Sequence, residues 1–107
     1  MKKIDLLEVI GKIKKPWQVT DLITVNNTTL RIAKIEGAYQ WHTHQNKDEF
    51  FLVLKGKIFI DTNKDGVIEL NEMECYLVEK GIRHRSRADK PAWVLLAEPP
   101  EIKTPGE

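Results

Sequence analysis

Short runs of β-branched and aromatic residues, each broken by Gly, Asn or Asp, follow one another along most of this chain. Residues 19–25 and 29–35 read as strands joined across Asn26 and Asn27, which tolerate turn conformations. A strand carrying His42 and His44 comes next, then 50–54, a turn at Gly56, 57–61, a turn over 63–66, and 67–70. Segments 75–78, 82–86 and 92–97 complete the series. Strands this short and this closely spaced predict an antiparallel sandwich or barrel. Ahead of them, Ile4, Leu6, Leu7, Val9, Ile10 and Ile13 suit a short helix or an irregular arm packed on the barrel. Gly11 weakens the helical alternative, and Pro16 ends the segment. Pro99, Pro100 and Pro105 predict an extended tail. With neither a repeat nor a linker, the pattern describes one domain over residues 1–107: an arm over 1–18, a barrel over about 19–98 and a Pro-rich tail over 99–107.

Size and charge narrow the function. At 107 residues, about two-thirds of the unfolded surface is buried on folding, enough for a core without disulfides. The single cysteine, Cys75, can form none within the chain, and its strand-like surroundings over 73–78 suit a small core residue better than a nucleophile. Lysines and arginines number 17 against 16 acids, interspersed, for a net charge of +1. A nucleic-acid backbone wants a concentrated basic face, and none is present. No run approaches membrane-spanning length and no charged segment precedes a long apolar one, so a cytoplasmic protein is expected.

The chain has only three histidines, and their placement is the chemical signal. On an extended strand, side chains two apart share a face, so His42 and His44 can grip one ion. A carboxylate follows after a short turn, and His84 closes the set from a distant strand. Alternation does not choose between Asp48 and Glu49, since both lead apolar alternating partners. Three neutral imidazoles and one carboxylate suit a first-row divalent transition metal: Fe, Mn, Ni, Co or Zn. Four protein ligands around an ion that accepts six leave two positions open, the arrangement of a reactive site. Gln40 precedes His42 by two residues and is the candidate catalytic side chain beside the open positions. Ser86 shares the inward face with His84, and Phe51 and Val53 form apolar wall. Tyr39, Trp41, Arg83 and Arg85 are expected to project the other way, and Trp17 and Trp93 to serve the core or an interface.

Residues 61–72 present a second metal pattern. Asp61, Asn63, Asp65, Gly66, Ile68 and Glu72 occupy the diagnostic positions of an EF-hand calcium loop. An EF-hand needs a helix on each side, yet both flanks are strand-like. A hairpin with its tip at 63–66 is therefore expected, and calcium binding at Asp61 to Glu72 is not.

The segment from Trp41 and His42 through Glu49 to Gly56 resembles the first motif of the cupin superfamily, and Gly81 with His84 resembles the second. The similarity runs over about residues 30–98 and is closest to small single-domain cupins. It implies an all-β double-stranded β-helix, a jelly-roll barrel, with His42, His44, Glu49 and His84 as ligands inside it. Met73 stands where the family favours a turn glycine, and Glu79 where it favours proline. The resemblance implies a small-molecule substrate and an enzyme of sugar or uronate isomerase or ring-opening type, or alternatively an oxygen-dependent dioxygenase or a non-catalytic binding module. Sheet edges and the apolar arm point to a two-fold homodimer.

Overall fold

The computed structural model describes residues 3–100, so Pro105 and the rest of the tail's end lie outside the described residues. Strands β1 (Val19–Val25) and β2 (Thr28–Ala38) form a hairpin whose turn places Asn26 at φ 53°. They are followed by β3 (Glu49–Lys55), β4 (Ile58–Thr62), β5 (Gly66–Leu70), β6 (Cys75–Val78) and β7 (His84–Glu98). The path β1-β2-β7-β3-β6 is antiparallel throughout, and β4 joins it by pairing with both β7 and β5. This is the all-β jelly roll that the resemblance implies.

β7 organises the barrel. Its first residues pair with β4, its last with β3, and β2 follows its other edge along most of the way. The sequence suggests two strands here, 82–86 and 92–97. The structure has one strand. Between the pairs Ile35–Ala92 and Gly37–Ala88, β7 advances four residues while β2 advances two. Asp89, Lys90 and Pro91 are exposed in the resulting bulge, where proline's missing N–H breaks no ladder bond.

Inward positions alternate as strands require. Ala33, Ile35, Phe51, Val53, Ile58, Ile60, Ala88, Ala92, Val94 and Leu96 belong to one buried cluster. Outside it, α1 (Leu6–Lys12) lays Ile10 over Ile32, joined by Ile13. Seven residues make a marginal helix alone. Asp5 caps its first turn, accepting from the Leu7 and Glu8 N–H groups at 3.0 and 3.4 Å, and Trp93 Nε1 donates to the Ile13 carbonyl at 3.1 Å. Burial of Ile10 and Ile13 thus outweighs the cost of Gly11. Cys75 corrects an expectation: it is exposed. β6 turns Tyr76 and Val78 toward the core, which leaves Cys75 and Leu77 on the outer side. Among the described residues no helix is long and apolar enough to cross a membrane.

Candidate metal centre

The His42-x-His44 segment is not the regular strand its spacing suggests. It runs extended between β2 and β3 and meets β7 at a single bridge. There the His42 N–H donates to the His84 carbonyl and the His84 N–H to the His42 carbonyl, each at 2.9 Å. Two residues on, the His44 carbonyl accepts from the Gly81 N–H at 2.8 Å, where Gly81 takes φ 85°. Backbone bonds therefore fix all three histidines before any side chain interacts. Glu49 opens β3 and is fully buried, whereas Asp48 is exposed and accepts from the Lys80 N–H at 2.8 Å. Of the two carboxylates that alternation left open, Glu49 is the one that lies inside the barrel.

Carbonyl contacts select the tautomers. His42 Nδ1 lies 2.9 Å from the Gln40 carbonyl, and His84 Nδ1 lies 2.9 Å from that of Ile82. A carbonyl only accepts, so each Nδ1 carries a proton, which leaves Nε2 as the nitrogen that a neutral ring would offer to a metal ion. Burial pushes the His42 imidazole below its usual pKa, against the Gln40 carbonyl's pull, which favours the neutral form that metals bind. Glu49 Oε1 sits 3.2 Å from His84 Nε2 and 3.5 Å from His44 Nε2. Burial raises the Glu49 carboxyl, but its contacts with His44 and His84 prevail and pull it down to about 2.

Ligand atoms of His42, His44, Glu49 and His84 lie within 4.8 Å of one another, so these residues could hold a metal ion. The chemistry of the set fits one. A carboxylate oxygen facing an imidazole lone pair is repulsive unless a cation, either a proton or a metal ion, lies between them. His42 Nε2 is also buried with no hydrogen-bond partner, an unfavourable state for a polar atom that a ligated ion relieves.

The surroundings follow the sequence in part. Phe51, Val53 and Ser86 are buried inward positions, and Thr43, His44, Gln45, Asn46 and Lys47 line a cavity of about 180 Å³. Gln40 differs: its side chain is exposed and only its carbonyl reaches His42. Strand alternation does not apply to an irregular segment, so the inward orientation read for Gln40 fails. Tyr39 differs for the same reason, setting its ring edge-on to His42 at 5.4 Å with Trp17 beside it at 5.0 Å. Trp41 lies outside the centre, with Arg83 and Arg85 over its ring at 5.1 and 5.3 Å.

Two charged residues near the centre escaped the sequence reading. Glu98 and Arg31 are 2% and 3% exposed, and Arg31 Nη1 donates to Glu98 Oε1 at 3.0 Å. Burial, and next the Glu49 carboxylate, push the Glu98 carboxyl up to about 8 against the pull of Arg31. A signal was present. Glu98 continues the inward series Val94, Leu96, and Arg31 sits between Thr29 and Ala33, where alternation demands burial.

The EF-hand-like segment forms the expected hairpin. Asp61 turns to Arg85 and Arg87 at 2.8 and 2.9 Å, while Glu72 accepts from the Gly56 N–H at 3.1 Å. These carboxylates serve separate contacts.

A family model for the cupin domain matches residues 29–97. An uncharacterized protein of Bacillus subtilis (strain 168), YdbB, is 32% identical over 87 residues, which is 81% of this chain and 77% of that protein. A cupin-2 domain containing protein from Shewanella frigidimarina NCIMB 400 superposes with a TM-score of 0.85 at 27% identity, covering 90% of this chain and 93% of that one. Protein NMB1881 from Neisseria meningitidis gives 0.82 at 28% identity, with 92% and 99% covered.

Proposed function

The chain belongs to the cupin domain family, and from that premise we propose that it is a metal-dependent enzyme acting on a small, oxygen-rich metabolite of the sugar or uronate type. The observation that carries this reading is His84 Nε2 meeting Glu49 Oε1 at 3.2 Å with its other nitrogen already committed to a carbonyl. His42, His44, Glu49 and His84 would hold the ion. Once bound, a first-row divalent ion supplies Lewis acidity for a substrate carbonyl or hydroxyl. Glu49 stays ionised in this reading and serves as a ligand rather than a base. The backbone bonds at His42, His44 and His84 hold the imidazoles in place, so the protein reorganises little when the ion or substrate arrives. A cavity of about 180 Å³ beside His44 is smaller than most drug-sized sites and suits a compact ligand. Gln45, Asn46 and Lys47 on its wall offer polar partners to hydroxyl and carbonyl oxygens.

The test begins with metal analysis of protein purified without a chelating tag, followed by a screen of sugars, uronates and keto acids. One ion per chain is expected, lost in His42→Ala/His44→Ala, together with metal-dependent turnover of one substrate class. Wild-type protein that takes up no transition metal would overturn the metal reading. Stoichiometric metal without turnover of any of these compounds would make the chain a binding module.

A further inference from the structure

Trp17, between α1 and β1, has φ 66°, a backbone that a bulky L-residue adopts only under constraint. The turn around it is tied down from several sides. The Trp17 N–H donates to the Lys34 carbonyl at 2.7 Å, and the Lys34 N–H donates to the Gln18 carbonyl at 3.1 Å. Gln18 Oε1 accepts from the Lys14 and Lys15 N–H groups at 3.1 and 3.2 Å. Lys34 Nζ adds a bond to the Lys14 carbonyl at 2.6 Å. A strained residue persists when its surroundings hold it this firmly, and its side chain is then aimed one way.

That way is toward Tyr39. The Trp17 indole lies 5.0 Å from the Tyr39 ring at an angle of 51°. The Tyr39 ring in turn meets the His42 imidazole at 5.4 Å and 86°, an edge-to-face pair. Tyr39 follows the end of β2, where its N–H donates to the Ser86 carbonyl at 2.9 Å. Residues three apart on a regular strand face opposite sides, so the irregular path from Tyr39 to His42 is what brings the two rings together. His42 has the most to gain from the contact. Its three companions, His44, Glu49 and His84, are buried, while His42 is buried only in part. The bridge to His84 fixes its backbone, but the last torsion of a histidine has no sharp preference of its own. Contacts must therefore orient the ring, and the carbonyl at Nδ1 comes from an exposed residue, Gln40.

We propose that Tyr39 is a positioning residue of the metal centre and Trp17 its brace: the left-handed turn sets the indole against Tyr39, and the Tyr39 ring holds the partly open His42 imidazole with Nε2 toward the other three ligands. The proposal rests on the reading of His42, His44, Glu49 and His84 as ligands. A ligand ring already held in its bound orientation loses less freedom when the ion arrives, so it binds more tightly.

Co2+ alone is the probe, because its visible absorption reports ligand geometry as well as occupancy. Tyr39→Phe keeps the ring and should keep the wild-type spectrum, with an affinity within about 2-fold. Tyr39→Leu and Trp17→Leu keep apolar bulk and remove a ring. They should lower Co2+ affinity about 10-fold and about 5-fold respectively, and shift the spectrum. Leucine variants that melt lower yet keep the wild-type affinity and spectrum would overturn the proposal and leave the metal reading intact, since the rings would then serve the core alone. A loss in Tyr39→Phe as large as in Tyr39→Leu would also overturn it, by giving the role to the hydroxyl. Metal-free wild type supplies a measurement that needs no variant to fold. Nuclear Overhauser cross-peaks should join the Tyr39 ring protons to those of both the His42 imidazole and the Trp17 indole, and their absence would overturn the proposal. Wild type that binds no Co2+ fails at the earlier step and removes both readings together.

Discussion

Met73 takes φ 67° between β5 and β6, with 71% of its surface exposed and its N–H donating to the Val53 carbonyl at 2.7 Å. The backbone keeps the left-handed turn that the family resemblance associates with glycine, although the residue here has a side chain that packs against little. A left-handed L-residue costs about 1 kcal/mol or more, of which the extra entropy of unfolded glycine returns roughly half. Met73→Gly should therefore raise stability by about 0.5 kcal/mol in urea titration, and a lowered midpoint would contradict this account. Gly56 shows the opposite case. It sits at φ 92°, and a Cβ there would meet the Pro91 oxygen and the Ala92 Cβ at 3.0 Å. Neither backbone nor core can yield, so Gly56→Ala should cost about 2 kcal/mol by the same titration.

At the scale of elements, the β4–β5 hairpin is fastened to β7 by Asp61. Its carboxylate accepts from Arg87 and Arg85, and Arg87 also covers the Phe59 ring at 4.6 Å. Burial raises the Asp61 carboxyl, but Arg87 and then Arg85 outweigh it and hold it below its ordinary value. A depressed acid contributes stability above its unfolded pKa and loses it as pH falls through the folded one. Asp61→Asn should thus melt lower at neutral pH, by about 2 kcal/mol of stability. The difference should shrink below about pH 4, where wild type loses the same interaction. A constant gap in melting temperature from pH 7 to roughly pH 2.5 would show that packing and not charge is responsible.

For the whole molecule, the buried cluster joining β2, β3, β4 and β7 contains no metal ligand. The barrel therefore has its own reason to fold, unlike a zinc finger. Chelation should lower the melting temperature while far-ultraviolet circular dichroism stays β-rich, and a random-coil spectrum would make the ion structural. Self-association is also expected. Leu77 on the outer side of edge strand β6 is 45% exposed, and Leu7 on α1 is 75% exposed. Sedimentation should show a dimer that Leu77→Glu weakens, and a monomer at high concentration in wild type would end the idea.

The sequence determined most of the strands, the hairpin turn at Asn26 and Asn27, and the residue types around the centre. Each is a local property: period-two burial, turn conformations, and imidazoles spaced to share an ion. It also held enough to prefer a hairpin over a calcium loop at 61–72, because strand-forming flanks are local too. What it left open depended on pairing. Segments 82–86 and 92–97 looked like separate strands until a bulge around Pro91 carried one strand through both. Gln40 looked inward until its segment proved irregular, and Cys75 looked buried until β6 turned its other face, Tyr76 and Val78, to the core. Arg31 and Glu98, 67 residues apart, meet because β2 pairs with the last part of β7. Register across distant strands decides which charged side chains share a dry interior, and no pattern along a single strand encodes it.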